Sequence, residues 1–140
     1  AIGKKIPEIK LKDINGQKQS LHDLDANLKL LVFWNSGCEH CHELLPVLKR
    51  IALSYDSIGF EIYAVGVEEG RESWEKDIKD FGLEELTNVT DFKGLTSPLI
   101  DEFNVWMTPL MYLIDENNNI IAKPRDEAQL YQLLIEFSHK

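Results

Sequence analysis

The chain alternates short apolar runs with stretches of helical spacing. Ile9–Asp13 and Gln17–Leu21 flank Asn15-Gly16, a pair suited to a tight turn, and predict a small hairpin. Ser20 is placed to cap a short turn of helix over Leu21–Leu24. Lys29–Trp34 reads as a continuous apolar run, the pattern of a strand buried on both faces. Asn35-Ser36-Gly37 breaks it. Leu44, Leu45, Leu48, Ile51 and Ala52 then recur at helical spacing, so the pattern predicts a helix from Cys38 to about Tyr55, with Pro46 kinking it.

Phe60–Val67 reads as the next strand, and Arg71–Phe81 as a helix stopped by Gly82. Thr87–Phe92 predicts a short strand. Ser97–Phe103 predicts a helix with Ser97 as cap and Pro98 at its first position. Leu110–Ile114 and Asn119–Ala122 predict a hairpin around the turn Asn117–Asn119. Asp126–Phe137 closes the chain as a helix with Leu130, Leu133, Leu134 and Phe137 on one face. Strand–helix–strand crossovers imply a parallel core, to which the terminal hairpin adds antiparallel strands. The expected fold is α/β, a mixed sheet flanked by helices, with residues 1–140 as one domain.

The 140 residues are 44% hydrophobic and 28% charged, which excludes disorder. No apolar run approaches the ~20 residues of a membrane span. The net charge of −9, without visible Lys/Arg clusters, argues against nucleic acid and anionic membranes as partners. A chain that begins at Ala1 without a methionine reads as processed, so a signal peptide or lipid anchor would be missing from it.

The two cysteines, Cys38 and Cys41, open the helix that follows the buried strand. That spacing closes a small disulfide ring. The free N–H groups and dipole of the helix N-terminus lower the pKa of the first thiol, and the thiolate is the nucleophile. Cys38 is thus the attacking residue, and Cys41, one turn on, resolves the mixed disulfide. His40 is expected to stabilise the Cys38 thiolate and Glu39 to oppose it. The redox potential is expected between about −270 and about −120 mV.

The segment Phe33-Trp34-Asn35-Ser36-Gly37-Cys38-Glu39-His40-Cys41, with Pro46 five residues on, resembles the active-site segment of thioredoxin-fold proteins. Thr108-Pro109 before Leu110–Asp115 resembles their cis-proline loop. Gly3–Leu24 resembles the N-terminal hairpin of the TlpA/ResA branch of extracytoplasmic thiol–disulfide oxidoreductases, an AhpC/TSA-related group, and Glu68–Phe103 looks like that branch's central insertion.

The resemblance implies a thioredoxin-like fold and disulfide exchange with protein substrates, more as a reductase than as an oxidant or isomerase. Thr108 and Pro109 would present the substrate, the dithiol would serve without a further cofactor or metal, and an upstream thiol would supply electrons. The setting would be periplasmic or otherwise extracytoplasmic in a bacterium, membrane-tethered or free. Trp106 and Met107, just before Thr108, belong either to the core or to a substrate groove.

Three positions depart from the family pattern. Val32 stands where thioredoxins carry a buried Asp, Gly37 where a Trp usually precedes the first cysteine, and Leu44 where ResA-type proteins carry a Glu. The nearest carboxylates along the chain are Glu39 and Glu43, so the proton acceptor for Cys41 is unidentified, and Glu68 and Glu69 are nominated by their place at a strand's C-terminal end. Cys38-Glu39-His40-Cys41-His42 also spells the haem c attachment pattern, and the Cys pair with His40 or His42 offers an incomplete zinc set. A binding module of that kind stays open, as does a structural Cys pair. Leu31 and Asn35 lack the Pro and Thr/Ser that a peroxidatic cysteine needs upstream. Trp34 is expected in the core, His42 on the helix surface, and His22 and His139 in solvent.

Overall fold

A computed structural model describes residues 2–139. Its elements in chain order are β1 (Lys10–Lys12), β2 (Lys18–Ser20), β3 (Leu28–Trp34), α1 (Glu39–Tyr55) and β4 (Phe60–Gly66). There follow α2 (Arg71–Asp80), β5 (Thr87–Val89), α3 (Pro98–Glu102), β6 (Leu110–Asp115), β7 (Ile120–Ala122) and α4 (Glu127–Ser138). A five-stranded sheet has the order β5-β4-β3-β6-β7, and β1 and β2 form a separate antiparallel pair. β3 pairs parallel with β4 and antiparallel with β6, so the sheet is mixed around a central β3.

Every residue of β3 is buried because both faces of the sheet are covered. Successive side chains point to opposite faces. Leu28, Leu30, Val32 and Trp34 pack with α1, α4 and the Trp74–Ile78 side of α2. Leu31 and Phe33 pack with Ile6, Ile9 and Leu21 of the N-terminal segment and with Phe103 and Val105. Lys29 interrupts that pattern. It is buried in the apolar run, with Nζ donating to Leu21 O (2.7 Å), His22 O (2.9 Å) and Asn118 Oδ1 (2.9 Å). One ammonium group thus ties the N-terminal segment to the β6–β7 turn. Its burial lowers its pKa, against the pull of Glu8 and Asp23.

Several elements differ from their sequence patterns for local reasons. Leu21–Leu24 is a turn rather than a helix, although Ser20 Oγ does accept the Asp23 N–H at 3.0 Å. The β1–β2 loop is organised by Asp13, whose carboxylate accepts the N–H groups of Asn15 (2.9 Å) and Gln17 (3.0 Å), rather than by a two-residue turn. β5 ends at Val89, because Thr90 bonds Gly66 O through its hydroxyl and Phe92 turns to positive φ. α3 is only five residues long, with Ser97 accepting the Leu99 N–H as its cap. α1 runs through Pro46, whose missing N–H leaves the His42 carbonyl without its helical partner.

His22 was expected in solvent and is not there, whereas His42 lies on the helix surface as expected but pairs across it. His22 is half-buried with Nε2 2.7 Å from Ile6 O. His42 bridges α1 to α2: its Nε2 lies 2.9 Å from Asp77 Oδ2, and its ring packs 4.9 Å from that of Phe81. His139 is exposed and Trp34 is fully buried, both as expected.

Candidate active site

Cys38 is the N-cap of α1. Its extended backbone lets its own sulfur accept the Cys41 N–H at 3.1 Å, the bond an N-cap side chain makes to the first helical turn. A residue at this position sees donors and the positive end of the helix dipole, so a thiolate is favoured there. Burial acts to raise the Cys38 pKa. It is outweighed by hydrogen bonds from the Cys41 and Thr108 side chains and from the Cys41 and His40 backbone, and the thiol is lowered. Cys41 is fully buried and opposite in character. Burial first, then its hydrogen bond to Cys38, push it up to about 12. Both thiols are free.

The turn that carries Cys38 is held at three points. Asn35 Oδ1 accepts the Gly37 N–H (2.9 Å), its Nδ2 donates to Val67 O (2.5 Å), and its backbone O accepts the Cys38 N–H (3.1 Å). Glu68, buried just after β4, accepts the Ser36 N–H at 2.6 Å and the Ser36 hydroxyl at 2.7 Å. Burial raises the Glu68 pKa despite those bonds, with Asp77 adding repulsion. Asn35 and Ser36 were not singled out as site residues. The signal for Asn35 was present, since Asn at a strand end accepts the backbone N–H two residues on. Ser36 had no signal, because its partner lies 32 positions on.

The structure brings Thr108 to Cys38, with 3.4 Å between Cys38 Sγ and Thr108 O. The Thr108–Pro109 peptide is cis. Trp106 and Met107 are not in the core: they are 89% and 76% exposed and stand beside Thr108. The imidazole of His40 is not among the groups that act on the Cys38 thiol. It is 83% exposed, with Nδ1 3.9 Å from Glu43 Oε1, and only the His40 backbone reaches Cys38. Glu39 is exposed in the first turn of α1. Glu69 is exposed beside the buried Glu68. Among the described residues, no three His, Cys, Asp or Glu side chains gather into a metal-sized cluster.

An acidified surface thiol capping a helix, a buried partner one turn on, and the Thr108 carbonyl facing the sulfur are the parts of a dithiol–disulfide centre. The AhpC/TSA family model matches residues 2–123. The chain belongs to the AhpC/TSA family. The thiol–disulfide oxidoreductase ResA of Geobacillus kaustophilus (strain HTA426) is 31% identical over 120 residues, which is 86% of this chain and 67% of that protein.

The crystal structure of the thioredoxin domain of a Bacteroides vulgatus thiol–disulfide oxidoreductase superposes with a TM-score of 0.89 at 27% identity, covering 98% of this chain and 97% of that one. A domain of a possible thiol–disulfide isomerase from Cytophaga hutchinsonii gives a TM-score of 0.88 at 30% identity, covering 99% and 94%. With these relatives, the fold is thioredoxin-like and the activity is that of a thiol–disulfide oxidoreductase.

Proposed function

We propose that this AhpC/TSA protein reduces disulfides in protein substrates, with Cys38 as the nucleophile and Cys41 as the resolving thiol. The observation that carries the reading is the asymmetry of the two thiols: Cys38 is lowered and half-buried, Cys41 is raised and enclosed. The Cys38 thiolate attacks one sulfur of the substrate cystine, and the other sulfur leaves as a thiolate. Cys41 then loses its proton and attacks the Cys38 sulfur, releasing the second substrate thiol. Two electrons pass from the dithiol to the substrate.

The charge and hydrogen bonding of Cys38 are among the causes that hold Cys41 protonated. Forming the mixed disulfide removes that charge, so Cys41 becomes easier to deprotonate once it is needed. The substrate strand pairs with the exposed backbone at Thr108 and Pro109 and rests on Met107 and Trp106. His40 contributes through its N–H, and the carboxylate of Glu39 works against the thiolate. The dithiol serves without a further cofactor, an upstream thiol donor re-reduces it, and the setting is extracytoplasmic, tethered or free.

A lowered Cys38 also supports a second reading as oxidant or isomerase, because stabilising the thiolate makes the disulfide a stronger oxidant. Equilibration with glutathione buffers decides between them. A potential near about −270 mV supports the reductase, and one near about −120 mV the oxidant. Failure of the reduced protein to open any protein disulfide would remove both.

A further inference from the structure

The three most exposed large apolar side chains among the described residues are Trp106 (89%), Leu95 (80%) and Met107 (76%). All three line one groove of about 620 Å³. The groove starts at Gly37 and Thr108, beside the Cys38 sulfur, and runs to Gly94 and Leu95 in the segment between β5 and α3. Exposed apolar side chains gathered in one place mark a binding surface, whereas scattered ones do not.

The charge of this wall has one sign. Its charged side chains are Glu68 and Glu69, and it contains no Lys, Arg or His. Glu68 is occupied with Ser36. Glu69 is exposed and takes part in none of the salt bridges among the described residues. Its stem lies across Gly94, where a Cβ would stand 2.7 Å from Glu69 Cγ. Gly94 also has positive φ and donates its N–H to Glu68 O at 3.1 Å. The loop is therefore shaped around Glu69, which leaves its carboxylate beside Gly94, the neighbour of Leu95. The whole chain adds a net charge of −9.

From this placement we infer that the groove selects its substrate. It takes an extended segment of a basic partner protein, in which the reactive cysteine is flanked by a large apolar residue seated against Trp106 and Leu95 and by a Lys or Arg facing Glu69. This rests on the disulfide-exchange reading and adds to it a substrate class. Opposite charge steers the encounter and is screened by salt, whereas the apolar contact is not.

The test uses the pre-reduced protein and four peptides, each with one cysteine held as a mixed disulfide with 2-nitro-5-thiobenzoate. Cys38 attacks the peptide sulfur and expels the coloured thiolate, and Cys41 then releases the peptide thiol. The residues flanking the cysteine combine Lys or Glu with Leu or Ser. Leu peptides should react about tenfold faster than Ser peptides, the ratio for ~1.4 kcal/mol of partial burial of one Leu side chain. Lys peptides should react severalfold faster than Glu peptides, and only this second ratio should vanish in high salt.

Glu69→Gln should cut most of the Lys preference, leaving the small part due to the net charge of −9, and Leu95→Ser should reduce the Leu preference. Equal rates for all four peptides, or a Lys preference undiminished by Glu69→Gln, would overturn the inference while leaving disulfide exchange standing. A dimer in sedimentation that Leu95→Ser breaks would overturn it in favour of a second copy in the groove. No reaction with any peptide would overturn the exchange reading and the inference together.

Discussion

The sulfur of Cys38 lies 3.4 Å from the carbonyl oxygen of Thr108, seventy positions further along the chain. The antiparallel register of β3 with β6, which pairs Phe33 with Leu110, brings the two together. Each residue lies just beyond the paired ends of those strands. The attacking atom and the backbone that would present a substrate are thus joined by the most buried part of the sheet, and their separation is as rigid as the core.

Limiting iodoacetamide should label Cys38 and leave Cys41 unmodified in the folded, reduced protein. The alkylation rate should rise with pH through a midpoint below that of an ordinary thiol, since Cys38 is lowered. Peptide mapping and the pH–rate curve check this. Replacing Cys41 with Ala removes one hydrogen-bond donor and should move the Cys38 midpoint upward. Cys41→Ser, which keeps a donor, should move it less.

Cys41→Ser should accumulate mixed disulfides with substrate proteins, and Cys38→Ser should not, because only the first variant keeps the nucleophile. Non-reducing electrophoresis before and after dithiothreitol reads the difference. Equal accumulation by both variants would contradict the assigned roles.

His40→Pro should lower the reduction potential by about 20–30 mV, and His40→Ala should leave it within ~10 mV of the parent. The imidazole faces Glu43 and solvent, whereas the backbone N–H supports the Cys38 sulfur, and Pro removes that N–H. Proline is tolerated in the first helical turn, so the fold should survive. Glutathione-buffer titrations of both variants settle whether the backbone or the ring acts. An equal shift in both would assign the effect to the ring.

Glu68→Ala should destabilise the protein by ~1–3 kcal/mol, since Ser36 loses both of its partners. Glu68→Gln keeps partners for both and should cost less. The folded-state pKa of Glu68 is raised from its ordinary 4.5, so the unfolded carboxyl ionises first. The stability it contributes is fully present below pH 4.5 and is lost as pH rises through the higher folded value. Glu61 is raised in the same direction, so urea melts across this window should show a steeper decline in the parent than in Glu68→Gln.

Lys29→Met should cost ~2 kcal/mol or more, because the chain is nearly isosteric but three oxygens lose their donor. Thermal melts check the loss. A neutral effect would mean that water replaces the ammonium group.

Elements whose signals are local are legible in the residues alone. The β3 run, the spacing along α1, the Cys-x-x-Cys at its start and the Asn-rich β6–β7 turn are each read within a few residues, because strand burial, helix periodicity and turn chemistry act over that range. Features that depend on distant partners emerge only from the packing. Trp106 and Met107 stand in the open because the end of β6 is held against Cys38, and no pattern around them distinguished groove from core.

Glu68 became a clamp on Ser36 and His42 a bridge to Asp77 only when β4 and α2 packed against the start of α1. Lys29 could lie in an apolar strand because Leu21, His22 and Asn118 converge on it. A charge or hydrogen bond takes its energy from a partner a few ångströms away, and which residue that is follows from the packing of the whole chain.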